Sequence, residues 1–290
     1  MHTLHHRTII FLGFIFFFIK ISAQDSLKNV EIAPVTVSAA RLTTTTSATP
    51  FAVTVLTQNQ IQKGQPKLSL NESLVASAGV FTLNPDNFSQ DLRISIRGYG
   101  ARAAFGIRGV RLIVDEIPES TPDGQADVDN LDMGSVQRLE ILRGANAGLY
   151  GNASGGILYI QTEEAGEKPF FETQISAGSY GFVRMQGKAG RKTGNYSQFI
   201  SIAHQRLDGF RAHARMNQTI VNAKIKYEFS PTTQLKLLFN YGNSPLARDP
   251  GALTQAQIDS NNRQARLQTR NSMPAKALSR VELGLFSIKK

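Results

Sequence analysis

The second half of the chain alternates apolar and polar side chains with a period of two residues. Segments that begin near Val183, Val221 and Leu235 each keep this alternation for about ten residues. Each segment therefore predicts an extended strand with one apolar face and one face of charged or amide side chains. Soluble antiparallel sheets and transmembrane β-barrels share this alternation, so the pattern by itself leaves both architectures open.

The first half of the chain has a different pattern, in which short apolar runs are separated by glycine-rich loops. The two most glycine-rich loops are residues 98–109 and 144–156. Capping sequences predict two short helices, over residues 60–63 and 69–77. Together these features predict a small α+β domain over residues 51–165. Its strand candidates are residues 51–56, 80–83, 92–97, 110–115 and 136–143.

The N-terminus has the organisation of a secretory signal peptide. Arg7 precedes an apolar run over residues 8–19, and the small residue Ala23 offers a cleavage point. The run is short for a bilayer span, and the alternative, a membrane anchor, lacks stop-transfer flanks. We therefore expect a signal peptide over residues 1–23. Residues 24–50 are polar and contain a proline and a run of threonines, which predict an extended, exposed arm.

The composition narrows the functional classes. The chain has 32 Lys and Arg against 22 Asp and Glu, a net charge of +10; without Arg7 and Lys20 of the signal peptide, 30 against 22 leaves +8. In an exported protein this excess favours anionic small molecules or lipid headgroups over nucleic acid. The absence of cysteine excludes disulfides and thiolate metal sites. No catalytic or metal-ligating constellation is present in the sequence, so we expect no enzyme, no metal site and no cofactor.

The glycine-rich loops also carry arginines. Arginine binds carboxylates bidentately, so a mid-loop arginine such as Arg102 can present charge to an anionic ligand. The alternative is an ion pair within the fold, which we favour for Arg97, Arg138 and Arg143 at strand ends; for Arg102 both interpretations stay open. The acids considered for such pairs are Asp115, Glu116 and Glu140.

Several of these motifs resemble the plug domain of TonB-dependent outer-membrane receptors. The sequence I-S-I-R-G at residues 94–98 is similar to the end of a plug strand. The sequence L-I-V-D-E-I-P at residues 112–118 is similar to the family's hydrophobic-V-D-G-x-P strand, with Glu116 where glycine is usual. The sequences S-V-Q-R-L-E-I-L-R-G at residues 135–144 and L-Y-G-N-A-S-G-G-I-L-Y-I at residues 149–160 resemble its most distinctive segment. The combination of motifs is specific, whereas each alone would be weak.

The resemblance implies a fold and partners. The implied fold is an α+β plug domain followed, over residues 170–290, by antiparallel transmembrane strands of a barrel of about 22 strands. The glycine-rich loop is most similar to that of ferric dicitrate and other iron-chelate receptors. The implied partners are a small anionic iron chelate, outer-membrane lipid of a Gram-negative bacterium, and TonB with the inner-membrane ExbB/ExbD complex that energises uptake.

The resemblance also implies two sets of site residues. Residues 34–39, P-V-T-V-S-A, look like a TonB box, which adds as a strand to TonB. The expected TonB-binding residues are Pro34, Val35, Thr36, Val37, Ser38 and Ala39. The residues expected to contact the chelate are Tyr99, Arg102, Asp123, Gln125 and Asn152.

The number of strands limits this interpretation. About six are predicted, and an unclosed barrel would leave unpaired backbone groups in lipid. We therefore expect a truncated, frameshifted or partial sequence with an incomplete barrel; a small complete barrel fits the basic tail after residue 263 poorly. The functional alternatives are a receptor for another nutrient, such as a cobalamin, an oligosaccharide or a peptide, and a non-transporting remnant.

Overall fold

The computed structural model describes residues 36–37, 39, 44–45, 50–121, 123–144, 150–151, 153–267 and 278–289. All of these belong to one compact unit of the chain. The expected signal peptide lies outside the described residues, as do Pro34, Val35, Ser38 and Asn152. Within the described ranges, no helix is long and apolar enough to cross a membrane.

The N-terminal part of the described chain is an α+β domain. Its elements are β1 (Thr36–Val37), β2 (Thr44–Thr45), β3 (Ala52–Thr57), α1 (Gln58–Gln62), α2 (Asn71–Leu74), β4 (Val80–Leu83), β5 (Arg93–Ile96), β6 (Val110–Val114), β7 (Ile117–Pro118), a 3-10 turn (Met133–Ser135), β8 (Val136–Arg143) and β9 (Gly156–Thr162). Five strands form a mixed sheet in the order β3-β8-β9-β6-β7, in which β6 and β9 run parallel and the other neighbours antiparallel. β1 pairs with β2, and β4 with β5.

Both faces of the mixed sheet are buried, which explains why its strands are apolar runs rather than alternating sequences. On one face Ile141 and Ile160 pack in a cluster that includes Ile61 of α1 and Leu74 of α2. The opposite face has its own cluster around Ile157. Burial on two sides makes this domain the apolar core of the described chain.

Both helices differ from the predicted ones: α1 is displaced towards the N-terminus, and α2 is shorter. α1 begins after Thr57, whose N–H donates to the side-chain oxygen of Gln60 at 2.9 Å in a capping box. α2 has four residues instead of the nine expected over residues 69–77, so the predicted length was wrong. The carboxylate of Glu72 accepts the N–H groups of Lys67 at 2.7 Å and Leu68 at 2.9 Å. Glu72 of the capping sequence therefore lies at the start of α2 and also fixes the loop that precedes the helix.

The N-terminal arm departs from the expectation of an exposed segment. Val37 and Ala39 are fully buried and pack with Leu142 and Ile157 on the second face of the mixed sheet. The expectation was wrong at these two positions, because their apolar side chains cover sheet surface that water would otherwise reach. In the sequence, the polar residues around Val37 and Ala39 gave no indication that these two side chains would be buried.

The C-terminal part is a six-stranded antiparallel sheet, called the wall sheet below. Its elements are β10 (Phe170–Ala177), β11 (Val183–Thr193), β12 (Tyr196–Leu207), β13 (Met216–Ser230), β14 (Thr233–Ala247), α3 (Gln255–Asn261) and β15 (Leu278–Lys289). Strands that follow each other in the chain are neighbours in the sheet. The expected number of strands and their antiparallel arrangement are confirmed.

The wall sheet buries its polar face. In β12, Ser201 and Gln205 are buried, whereas Ile200 and Ile202 are exposed. The polar face is buried because it lies against the α+β domain. The exposed apolar side chains of the wall include Phe171, Ile175, Met185, Ile200, Ile202, Ile225, Tyr227, Phe229 and Leu237.

Candidate ligand-facing loops and the domain–wall interface

The first glycine-rich loop folds back on itself where only glycine fits. Gly100 has a φ of +87°, and a Cβ atom there would lie 2.6 Å from the carbonyl oxygen of Ile94 and 2.8 Å from that of Arg108. Both contacts are to backbone atoms, which have little freedom to move away. The sequence motif therefore reflects a close approach of two chain segments and a left-handed conformation.

Two of the expected chelate contacts are engaged within the protein. Nη2 of Arg108 donates to Oδ2 of Asp123 at 2.7 Å and to Oε1 of Gln125 at 3.1 Å. The hydroxyl of Thr121 also donates to Asp123; this bond and the Arg108 guanidinium hold the pKa of the Asp123 carboxyl below its usual value. The structure thus brings Asp123 and Gln125 together around Arg108 of the first glycine-rich loop.

Tyr99 and Arg102 are open to solvent. The side chain of Tyr99 is 55% exposed, and Arg102 is exposed as well. Among the described residues, no hydrogen bond or ion pair engages the Arg102 guanidinium. The contact roles expected for Tyr99 and Arg102, and for Asn152 outside the described residues, stay predictions.

A buried carboxylate fastens the α+β domain to the wall sheet. Asp132 is 1% exposed and accepts the N–H of Gly134 at 3.0 Å. Three wall side chains donate to the same carboxylate: Arg184 at 2.5 Å, Gln186 at 3.0 Å and Ser201 at 2.8 Å. Sequence reasoning missed Asp132; the available signal was the polar face of β11, which needed polar partners.

Lysines of the wall pair with acids at the ends of domain strands. Nζ of Lys224 lies 2.8 Å from Oδ1 of Asp115, and Nζ of Lys236 lies 3.3 Å from Oε1 of Glu116. The ion pairs considered between these two acids and arginines are therefore replaced by pairs with wall lysines. Long alternating strands position the lysines, because every second side chain reaches the domain.

Glu164 lies among three ammonium groups of the wall. Its carboxylate oxygens are 3.5 Å from Nζ of Lys226, 3.6 Å from that of Lys236 and 3.9 Å from that of Lys224. Burial opposes ionisation of Glu164, but the three ammonium groups outweigh it and hold the pKa of the carboxyl below its usual value. The interface therefore favours the charged form of this side chain.

The described part of the expected TonB box is attached to the domain. The N–H of Ala39 donates to Oε2 of Glu140 at 2.7 Å, and Nε of Arg138 donates to Oε1 of the same carboxylate at 2.7 Å. The ion pair confirms the structural interpretation of Arg138. Arg143 instead donates to the carbonyl of Ala78 and the hydroxyl of Thr54, both uncharged.

The described structure thus combines exposed loop residues such as Tyr99 and Arg102 with a charged interface that joins the domain to the wall. No group of three or more His, Asp or Glu side chains in the described part of the chain is placed to bind a metal.

Comparison with protein families identifies the α+β domain. The family described as TonB-dependent Receptor Plug Domain matches residues 45–157. Residues 45–157 are a TonB-dependent receptor plug domain. The match includes the mixed sheet up to the start of β9 and both glycine-rich loops.

Relatives of the chain are transport receptors. The vitamin B12 transporter BtuB of Photobacterium profundum is 29% identical over 163 residues, which cover 55% of this chain and 26% of that protein. The hemin receptor of Yersinia enterocolitica is 37% identical over 75 residues, covering 26% of this chain and 10% of the receptor. The chain spans about a quarter or less of the length of these curated relatives.

Solved structures show the same fold beyond the plug domain. The unliganded ferric citrate transporter FecA matches with a TM-score of 0.62 at 20% identity, over 74% of this chain and 34% of that one. The outer-membrane ferripyoverdine receptor of Pseudomonas aeruginosa matches with a TM-score of 0.56 at 18% identity, over 73% and 28%. The expected fold, a plug domain followed by antiparallel barrel strands, is confirmed.

Proposed function

We propose that the chain is part of an outer-membrane receptor that takes up an anionic iron chelate with energy supplied through TonB. The observation that carries this proposal is the two-faced wall sheet. Its apolar face points outward, while Arg184, Lys188 and Lys224 on the other face pair with acids of the plug domain region. A sheet that is apolar outside and polar towards a plug is the arrangement of a transmembrane barrel with an occluded lumen.

The two ends of the wall support an orientation in the membrane. Two-residue turns join β11 to β12 and β13 to β14, whereas the other end carries longer connections over residues 178–182 and 208–215 and the described segment over residues 248–267. In outer-membrane barrels short turns face the periplasm and longer loops face outward. We therefore assign the longer connections to the outer surface.

The proposed ligand follows from the exposed plug loops. The guanidinium of Arg102, which has no partner in the described part of the chain, and the phenol of Tyr99 are exposed, and a guanidinium binds carboxylates through paired hydrogen bonds. Asp123 and Gln125 are already bonded to Arg108, so we assign the first contacts to Arg102 and Tyr99. Two matches support an iron chelate: the ferrichrome receptor FcuA of Yersinia enterocolitica, 25% identical over 142 residues (46% of this chain and 19% of that protein), and the structurally similar ferric citrate transporter FecA.

Energy coupling is proposed to act on residues 34–39. Strand addition to TonB needs backbone groups that are free to pair with another strand. Here the N–H of Ala39 is held by Glu140 and Val37 is buried, so these two residues must leave the plug domain before TonB can pair with them. Ligand binding at the loops is the proposed trigger of that release.

Uptake of radioactive ferric citrate by iron-starved cells of the source bacterium tests this function. A strain that carries Arg102→Gln is expected to show an apparent affinity about tenfold lower, because a charged hydrogen bond to the chelate is lost. Arg191→Gln, which removes an equal charge from an exposed position near the short-turn end of β11, is the matched control and should leave uptake unchanged. Ferric citrate uptake that survives deletion of the gene would contradict the proposal.

A cobalamin is the second candidate ligand, favoured by the 29% identity to a vitamin B12 transporter over 163 residues. Uptake of cyanocobalamin that is lost on deletion but insensitive to Arg102→Gln would favour this candidate. Absence of any change in either uptake on deletion would favour a non-transporting remnant.

A further inference from the structure

The outer-surface connections of the wall are fastened to each other by one arginine. The guanidinium of Arg211 donates hydrogen bonds to the carbonyl oxygens of Gly251 at 2.6 Å and Gln264 at 3.0 Å. The next residue, Ala212, donates its N–H to the carbonyl of Arg263 at 2.7 Å. The backbone at Arg263 is therefore held by the loop that precedes β13.

The side chain of Arg263 lies over two aromatic rings. Its Cζ atom is 5.1 Å from the ring centroid of Phe210 and 5.8 Å from that of Tyr180. The two rings meet edge to face, with centroids 5.6 Å apart and an interplanar angle of 87°. Both rings are about half exposed, at 45% and 47%. These cation–π contacts hold a planar cation beside two open aromatic surfaces.

The surroundings of Arg263 are positively charged. Residues 206–215 and 248–267 together contain six arginines against three aspartates, a net charge of +3. The first aspartate, Asp208, is already paired with two arginines, one of which is Arg215 at 2.7 Å.

The other two aspartates are also engaged. Asp249 accepts hydrogen bonds from Asn87 at 3.0 Å and Gln90 at 2.8 Å, both in the plug domain. Asp259 accepts one from Gln255 at 2.8 Å. Among the described residues, Arg263 forms no ion pair. Its guanidinium lines the neighbouring cleft without a paired carboxylate from that part of the chain.

That cleft has the size of a small-molecule site. Its volume is about 680 Å³, within the range of about 300–1,000 Å³ that ligand pockets occupy. Its lining combines arginine, aromatic, amide and aliphatic groups. The residues used here are Tyr180, Phe210, Arg211, Arg263, Gln264 and Leu267.

We propose that Arg263, Tyr180 and Phe210 form a wall-side binding position for a planar aromatic carboxylate, separate from the contacts assigned above to Arg102 and Tyr99. The guanidinium can donate two parallel hydrogen bonds to a carboxylate. The exposed aromatic rings can pack against the planar ring of an aromatic acid. A tetrahedral phosphate could pair with the Arg263 guanidinium, but it has no apolar surface to cover the exposed parts of the two rings. The inference concerns this position alone and goes beyond the proposed uptake function, whose ferric citrate probe has no aromatic ring.

Salicylate is a suitable probe, because it carries a carboxylate on an aromatic ring and needs no iron. The full chain in detergent micelles is titrated with salicylate, and the dissociation constant is measured by NMR from the ligand's aromatic protons. Arg263→Gln is expected to weaken binding about tenfold, and Arg263→Lys less, because lysine keeps the charge but lacks the planar fork. Phe210→Leu should also weaken binding by removing an aromatic surface.

Arg191→Gln is the charge-matched control and should bind salicylate as the unmodified chain does. Equal urea midpoints of the variants would establish that they are folded. Unchanged salicylate affinity in folded Arg263→Gln would overturn the inference, and so would displacement of salicylate by an equal concentration of inorganic phosphate.

The binding titration is independent of transport. A chain that imports no iron can still bind salicylate at Arg263, and this outcome would contradict the proposed function while supporting the binding position. The reverse outcome, Arg102-dependent iron uptake without Arg263-dependent salicylate binding, would contradict the binding position and support the proposed function.

Discussion

The plug domain and the wall sheet are both built from β-strands, yet they bury opposite kinds of side chain. In β9 of the plug region Ile157 and Ile160 are buried, whereas in β12 of the wall Ser201 and Gln205 are buried and Ile202 is exposed. The plug domain packs apolar side chains away from water, and the wall turns its polar side chains towards a polar neighbour. Burial therefore identifies a contact, while the chemistry of the neighbouring surface decides which side chains are suited to it.

The largest expected effect comes from the carboxylate that joins the two regions. Asp132→Ala leaves the buried guanidinium of Arg184 without its charged partner, so we expect a loss of about 3–5 kcal/mol in the free energy of unfolding. Urea denaturation of the chain in detergent micelles measures it. Asp123→Ala, which breaks an exposed ion pair instead, is the matched control and should change the urea midpoint little. Equal midpoints for the two variants would contradict the role assigned to Asp132.

The second prediction compares one substitution in both regions. Ile160→Ala opens a cavity in the plug core and should lower the free energy of unfolding by about 2–5 kcal/mol. Ile202→Ala changes a side chain that faces outward, leaves no internal cavity, and should lower it by less than about 1 kcal/mol. The same urea experiment measures both, and a larger loss for Ile202→Ala would reverse the assignment of the wall's faces.

The smallest expected effect is a pH dependence with opposite signs in the two regions. The pKa of Glu164 at the interface is held below its usual 4.5 by wall lysines, which outweigh the effect of burial. Its stabilising contribution is present at neutral pH and is lost as the pH falls through its folded-state pKa, below 4.5.

Burial instead raises the pKa of Glu72, and it outweighs the hydrogen bonds from backbone N–H groups, which lower this pKa. Protonation of Glu72 therefore favours the folded state, and its contribution is lost as the pH rises through its folded-state pKa, above 4.5. Urea midpoints measured between about pH 3 and pH 7 test both groups. Glu164→Gln should remove the stability that the unmodified chain gains when the pH is raised. Glu72→Gln should remove the stability that it gains when the pH is lowered. The same direction of change in both variants would contradict the opposite shifts.

Regular features of the fold were predictable from local sequence. The alternation that begins near Val183 predicted strands with two faces, and β11 starts at that residue. The glycines of the first loop predicted tight backbone turns, and Gly100 occupies one. Helix length was less predictable: α2 ends at Leu74 although the capping sequence suggested a helix to residue 77, because a cap marks a start and packing decides the end.

The candidate site was predictable only in part. Tyr99 and Arg102 are exposed, as expected for loop residues, while their contact with a chelate stays a prediction. The bond of Arg108 to Asp123 was not foreseen, since it joins residues of separate loops whose approach depends on the fold between them.

The strand periodicity, the glycine positions and the motifs that mark the plug domain follow from the amino-acid sequence alone, because each of these depends on the geometry of neighbouring residues along the chain. Three other outcomes depend on the folded chain: the wall buries its polar face, Asp132 contacts Arg184, which lies 52 residues away, and Val37 is buried. These outcomes depend on which distant surfaces meet, and that is settled by the packing of the whole chain rather than by any local pattern.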